Sequence, residues 1–282
     1  MNAYVAEDAG GANLTLHAAL NDKEFFRVFV FGIAKDIASN LGVKAHSNEM
    51  ELTGITRVVA GANAQGTAKA ADLFLRHFNS MKVPIFGFLD GWDNLENRFP
   101  GLRIRKYLVV DEYSKRIAES IYGLSKVELS ENHYRNQVLK DHANLVAKLS
   151  DAELIKKQKA IIYFSRPSKG SGSEAKCTNP FCICADLSII LKKFPRFSVL
   201  VRDHPTLDSR KCILRFSIRH DFQIERTEGV TPLGADLSRC SVAIGQSNPA
   251  LLIAQDAGLM TFTTSENARY TMGMAPIFTN LI

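Results

Sequence analysis

Short apolar runs alternate with helix-compatible stretches along almost the whole chain, and this alternation limits the possible folds more than any other feature. "NAYVA" (2–6), "RVFVFG" (27–32), "RVVAG" (57–61), "PIFGFL" (84–89), "KYLVVD" (106–111) and a short run at 127–129 are the first series. Between them lie amphipathic segments such as 66–81, with Ala70, Leu73, Phe74, His77 and Phe78 at helical spacing. "IAKDIASNLG" ends on Gly42, a common helix terminator. After a long polar, helix-compatible segment at 132–159 the alternation restarts. "AIIYFS" (160–165), "FSVLVR" (197–202), "FQIER" (222–226), "SVAIG" (241–245) and "LMTFTT" (259–264) form the second series. Ser150 and Glu153 within the joining segment have the spacing of a capping box.

Short apolar strands alternating with helices predict parallel sheets covered on both faces. The fold class is therefore α/β, with two Rossmann-like domains facing a cleft. The expected domains are 1–150 and 151–282, hinged near 145–160. In such sheets ligands bind beyond the carboxyl ends of the strands, so chemistry is to be sought there.

Composition narrows the function classes. With 282 residues and 46% apolar content the chain can bury a sizeable core. No apolar run reaches the ~18–20 residues of a membrane span, and the opening "NAYVAEDAGG" has no signal-peptide pattern, so a cytoplasmic location is expected. Cysteines at 177, 182, 184, 212 and 240 are odd in number, which argues against a disulfide framework. The cluster from Cys177 to Cys184 lacks the second cysteine pair of structural zinc sites, so no metal is expected. The net charge of +6 is unevenly placed: residues 192–226 hold nine Lys or Arg against four Asp or Glu. Such a stretch suits phosphates, although a solvated helical face explains many of its side chains equally well.

Four strand ends carry candidate residues. Gly10 and Gly11 in "EDAGGAN" let backbone N–H groups approach an anion, with a tight turn as the alternative. In "FLDGWDNLENRF" (88–99) an apolar strand stops on Asp90, Gly91, Trp92, Asp93 and Asn94. Asp90 is placed to act as a general base, Asp93 and Asn94 to bind sugar hydroxyls, and Trp92 to offer an apolar platform. Asp93 or Asn94 can equally cap a helix starting at Leu95, whereas Asp90 is too early for that. In "RDHP" Arg202 and His204 put a cation and an imidazole at one edge, stiffened by Pro205. In "GQSNPA" Ser247 or Asn248 can cap the helix opened by Pro249, and the same free N–H groups make an anion site. The loop "SRPSKGSGSEAK" (165–176) sits where a lid over a cleft would be.

"FLDGWDNLENRF", "RDHP" and "GQSNPALLIAQDAG", in that order across two Rossmann-like halves, resemble bacterial glycosyltransferases of the B-type fold, in the sialyltransferase-like and surface-polysaccharide branch. Leu89 stands where that branch usually has an acidic residue, and Asn248 replaces a second hydroxyl. The resemblance implies that Asp90 deprotonates an acceptor hydroxyl, that His204 assists departure of the nucleotide phosphate, and that Ser247 binds it. Arg202, Asn248, Gly10 and Gly11 would join in holding the donor, and Trp92, Asp93 and Asn94 the acceptor. The implied partners are a nucleotide-sugar donor and a glycan or lipid-linked saccharide acceptor, the latter at the inner face of the cell membrane. Neither a nucleic acid, a metal nor another cofactor is implied. Hydrolysing UDP-N-acetylglucosamine 2-epimerases share this architecture, and a compact acidic cluster in the N-terminal half would favour them. A non-catalytic nucleotide-sugar or glycan-binding protein of the same fold is the further alternative.

Overall fold

A computed structural model describes residues 1–46, 52–62, 69–91, 95–165, 183–203, 213, 216–217, 224–228, 231–245, 249–264 and 275–276. The chain divides into two units, Met1–Asn136 and Gln137–Ile282. The boundary therefore falls earlier than residue 150, within the first turns of one helix.

The first unit runs β1 (Asn2–Ala6), α1 (Ala9–Leu20), β2 (Phe26–Val30), α2 (Ala34–Asn40), β3 (Arg57–Gly61) and α3 (Lys69–Ser80). It continues through β4 (Ile85–Phe88), β5 (Ile104–Val109), α4 (Glu112–Tyr122) and β6 (Val127–Leu129) into α5 (His133–Val146). Its six strands pair in the order β2-β1-β3-β4-β5-β6, and every pairing is parallel. The central strands β1, β3 and β4 are buried on both faces over most of their length, which explains why they read as apolar runs and not as alternating ones. Ala3, Val5, Val58 and Ala60 face one core, packed with Ala71, Leu75 and Phe78 of α3 and Ala118 of α4. Tyr4, Ala6, Val28 and Val59 face the other, packed with Ala12 and Leu16 of α1 and Ile37 of α2. Each large side chain so buried contributes about 1.5–3 kcal/mol relative to exposure.

The second unit contains the rest of α5 and α6 (Asp151–Lys157), then β7 (Ala160–Phe164), α7 (Ile183–Lys193), β8 (Ser198–Arg202) and β9 (Ile224–Thr227). It ends with α8 (Leu233–Ser238), β10 (Val242–Gly245), α9 (Pro249–Asp256), β11 (Met260–Thr263) and β12 (Ala275–Pro276). Its strand order is β12-β11-β10-β7-β8-β9, again parallel throughout. One core joins Ile161, Tyr163, Val199, Val201 and Ile244 to Ile183, Leu187 and Ile190 of α7. Ile162, Leu200 and Ala243 are buried on the opposite face.

The long polar segment is two helices. The capping box forms as the sequence predicts, with the Glu153 carboxylate accepting from the Ser150 N–H at 2.8 Å. Packing within each unit accounts for the position of the boundary. Near the start of α5, the Tyr134 ring lies 5.3 Å from that of His17 on α1. Further along, Gly234 of α8 lies so close that a Cβ there would meet the Val138 carbonyl at 2.8 Å. His142 of α5 is buried, with Nε2 3.5 Å from Lys157 Nζ of α6.

Candidate functional site

Each sheet has a point where the chain reverses its direction of growth, and in open α/β sheets ligands bind beyond the strand ends at such a point. In the first sheet this point lies between β1 and β3, because β2 adds on one side of β1 and β3 on the other.

The turn after β1 is set by two carboxylates. Asp8 is the N-cap of α1, its Oδ1 accepting from Gly10 N at 3.1 Å and Gly11 N at 3.2 Å. The two glycine N–H groups are thus taken by the chain's own Asp8 carboxylate. Glu7 reaches the other way: its Oε2 accepts from Ala71 N of α3 at 2.8 Å, while its carbonyl accepts from Ala34 N of α2 at 3.2 Å.

Gly11 and Gly61 are also sterically required. A Cβ on Gly11 would lie 2.5 Å from the Ala62 carbonyl oxygen, and one on Gly61 would lie 2.5 Å from the Gly11 carbonyl oxygen. The backbones leaving β1 and β3 therefore touch at the switch point. A Cβ on Gly10 would fall 2.0 Å from Asp90 Oδ2. Asp90 is thus brought from the end of β4 onto the first turn of α1, and Asp8 and Asp90 both touch Gly10.

Asp90 is 15% exposed at its side chain and pairs with Arg98, 12% exposed, at 3.5 Å between Oδ1 and Nη1. The preceding Leu89 is 1% exposed and belongs to the core, where a carboxylate would have no water. Arg98 follows a 3-10 turn, Leu95–Asn97, and its N–H donates to the Leu95 carbonyl at 3.0 Å. Trp92, Asp93 and Asn94 lie outside the described residues. Asp111, at the end of β5, caps α4 by accepting from Ser114 N at 2.7 Å.

In the second sheet the switch point lies between β7 and β10. Gly245 closes β10 there, and a Cβ on it would stand 3.0 Å from that of Phe164 at the end of β7. Arg202, at the end of β8, is buried. Its guanidinium donates to Thr231 Oγ1 at 3.0 Å, to the Thr231 carbonyl at 2.7 Å, and to Asp236 of α8. The neighbouring Asp203, also buried, accepts from Arg226 Nε at 2.6 Å. Two cations of the basic stretch are therefore held in internal ion pairs, which lowers the field that the sequence count suggests. His204, Ser247 and Asn248 lie outside the described residues, as does most of the loop at 165–176.

Sequence reasoning missed four features. Glu7 and Asp8 stood in the quoted "EDAGGAN", where an Asp two residues before Gly-Gly is itself an N-cap signal. Arg98 stood in the quoted "FLDGWDNLENRF", one turn beyond the polar cluster. At the end of β11, Thr264 carries a buried hydroxyl oxygen without a hydrogen-bond partner, and no local sequence signal marks it. Among the described residues no group of His, Cys, Asp or Glu could hold a metal ion, and no helix is long and apolar enough to cross a membrane.

No protein-family model matches the chain, and no curated protein matches it in sequence. Solved structures do match its fold. UDP-GlcNAc 2-epimerase from Neisseria meningitidis, bound to UDP-GlcNAc, is 14% identical with a TM-score of 0.66, over 95% of this chain and 84% of that one. S. aureus MnaA with UDP is 13% identical with a TM-score of 0.65, over 95% and 80%. HepE from Anabaena, in complex with UDP-glucose, is 12% identical with a TM-score of 0.58, over 93% and 80%. The two-part α/β fold of this chain is the fold of these B-type proteins.

Proposed function

We propose that this chain is an enzyme acting on a nucleotide sugar, and that its reaction is 2-epimerisation of a UDP-N-acetylhexosamine. The observation that supports this reading is the meeting of Asp8 and Asp90, from the ends of β1 and β4, over Gly10. It occurs in a fold shared with proteins described as UDP-GlcNAc 2-epimerases. Inversion at C2 passes the C2 proton to a base while the C1–O bond breaks and UDP leaves with the electron pair, giving a 1,2-unsaturated sugar. UDP then adds back at C1 as a proton is returned to the opposite face of C2, so a general base must stand against one face. In this proposal Asp90 is that base, at a strand end and next to a cation. Trp92, Asp93 and Asn94 are assigned to binding the sugar. The C-terminal unit takes the nucleotide, with His204, Ser247 and Asn248 on the phosphates, Arg202 fixing the end of β8, and Thr264 offering an unused hydroxyl. Gly10 acts by admitting Asp90, and Gly11 by admitting the backbone that leaves β3. A cytoplasmic location belongs to the same reading, and no metal or other cofactor is assigned a part.

A second reading, transfer of the sugar to a glycan or lipid-linked acceptor, is favoured by one observation. Glu7, Asp8 and Asp111 each accept from backbone N–H groups at helix starts, whereas Asp90 is paired with a side-chain cation. One base suffices to deprotonate an acceptor hydroxyl, and a place at the inner face of the membrane would go with a lipid-linked acceptor.

Incubation with UDP-GlcNAc, with and without a saccharide acceptor and followed by proton NMR of the sugar, separates the readings. Appearance of the C2 epimer without acceptor supports 2-epimerisation. Consumption that requires acceptor supports transfer. Tight binding of nucleotide sugars without consumption in either arm refutes both and leaves a binding protein.

A further inference from the structure

We propose that Arg98 is a positioning residue for the Asp90 carboxylate, holding it charged and aimed across the β1/β3 switch point. The proposal rests on the reading in which Asp90 is the base, but its physical content concerns this pair alone. The carboxylate is confined from two sides. Oδ1 lies 3.5 Å from Arg98 Nη1, and Oδ2 lies against Gly10, in the space a Cβ would occupy. Both side chains are largely shielded from water, so their attraction is screened less than that of a surface pair.

The fold gives Arg98 a fixed place from which to act. Leu95 and Phe99, on either side of it, are 1% and 6% exposed and belong to the core of the first unit. Phe99 is seated on Gly87 of β4, where a Cβ would approach its ring to 2.5 Å. The Tyr122 hydroxyl of α4 donates to the Leu95 carbonyl, and the Tyr122 ring is stacked on Tyr107 of β5 at 3.7 Å. The chain thus leaves β4 at Asp90 and is pinned again before and after Arg98. Core packing has already ordered the backbone, so the guanidinium reaches the carboxylate at little further entropic cost.

The charges around Gly10 explain why a cation is needed. Asp8 binds the Gly10 N–H while Asp90 lies over the same residue, so two carboxylates share the first turn of α1. Repulsion between them favours swinging one away, which would displace the base. The α1 N-terminus relieves part of this repulsion, and Asp8 already occupies its first N–H groups. Arg98 supplies a full positive charge on the Asp90 side. The rigid guanidinium places that charge 3.5 Å from Oδ1, a placement the flexible ammonium of a lysine would not reproduce.

The test compares wild type with Arg98→Met and Arg98→Lys on UDP-GlcNAc. Arg98→Met is expected to lower kcat on the order of 10–10²-fold with KM changed less than about twofold, because the group is displaced but the nucleotide is held elsewhere. The acidic limb of the kcat–pH profile should move up by about one unit, and Arg98→Lys should return the limb without restoring full kcat. A second measurement does not depend on turnover: carbon-13 NMR titration of the Asp90 carboxyl, assigned through Asp90→Asn. Its midpoint should move in the same direction in Arg98→Met. If the wild type turns over no nucleotide sugar but the titration moves as expected, the functional reading fails and the positioning of Asp90 stands. If the titration and the pH limb both stay in place while the melting temperature drops, Arg98 only packs and the proposal is overturned. Should Arg98→Met fold poorly, Arg98→Gln serves with the same expectations.

Discussion

Alanine at Gly10 and alanine at Gly11 should have opposite effects, though the residues are adjacent on one helix turn. At Gly10 the added Cβ would lie 2.0 Å from Asp90 Oδ2 and 2.9 Å from its Cγ. Ordinary contact begins near 3.4 Å, so the carboxylate must retreat by 3.4 − 2.0, about 1.4 Å. It can do so by rotating its side chain, leaving the backbone in place. A helix gains roughly 0.5–1 kcal/mol when Gly becomes Ala, which offsets the displaced ion pair, so stability should change by less than about 1 kcal/mol. Misplacement of a reacting group by an ångström costs about 10²-fold, and kcat should fall on that scale. At Gly11 the new Cβ would meet the Ala62 carbonyl oxygen at 2.5 Å and the Gly61 carbonyl carbon at 2.9 Å. These are backbone atoms of β3 and cannot rotate away. Gly11→Ala should therefore destabilise the protein by about 1–3 kcal/mol or prevent folding. Urea melts followed by circular dichroism, beside turnover of UDP-GlcNAc, measure both quantities. Gly10→Ala with wild-type turnover, or with a stability loss matching that of Gly11→Ala, would refute the placement of Asp90 on α1.

Further outcomes follow from the second unit. Burial, and then the charge of Lys157, hold the His142 imidazole below its ordinary value of 6.5. Its neutral form is thus favoured on folding, and the stability it contributes is present above about pH 6.5 and lost as pH falls through the lowered value. Burial pushes the Cys240 thiol from 9.0 up to about 12, so its contribution is complete below pH 9 and lost as pH rises towards 12. Lys157, lowered from 10.5 by its burial, acts in the opposite sense on the alkaline side. Urea midpoints measured across pH should fall on the acidic side in wild type and much less in His142→Asn; equal slopes would exclude His142 as the cause. Asp236→Ala leaves the buried Arg202 guanidinium without its carboxylate and should cost about 3–5 kcal/mol, whereas Arg202→Met with Asp236→Leu should cost much less. Equal losses in the single and double variants would remove the ion pair from the account.

Much of the architecture could be read from the chain because the central strands of each sheet are buried on both faces, which turns them into plain apolar runs. The spans 57–61 and 127–129 coincide with β3 and β6. The start of α1 was less legible: Gly10 and Gly11 are poor helix formers, yet the Asp8 cap and the contact with β3 carry the helix back to Ala9. Asp90 was legible as a carboxylate at a strand end. The meaning of Arg202 was not, because its partner Asp236 lies 34 residues away and only the folded sheet brings them together. A basic residue in a basic stretch looks available for phosphate when its carboxylate is distant in sequence. The unit boundary was displaced for a related reason, since composition shows a long polar helix but not which unit each of its turns packs against.

Glu7 joins the end of β1 to the start of α3 by a hydrogen bond spanning 64 residues. A contact of that separation closes a long loop and is costly before the intervening chain is ordered. It is therefore expected to form after the folding barrier is crossed. Replacing the Glu7 carboxylate by glutamine should then leave the refolding rate nearly unchanged and accelerate unfolding, the pattern of a contact absent from the transition state. Stopped-flow chevrons with a changed unfolding arm and an unchanged folding arm would show it. The carboxyl ends that carry the candidate chemistry would thus be held shut by kinetics, and the time they stay assembled would be set by a bond that no reacting atom shares.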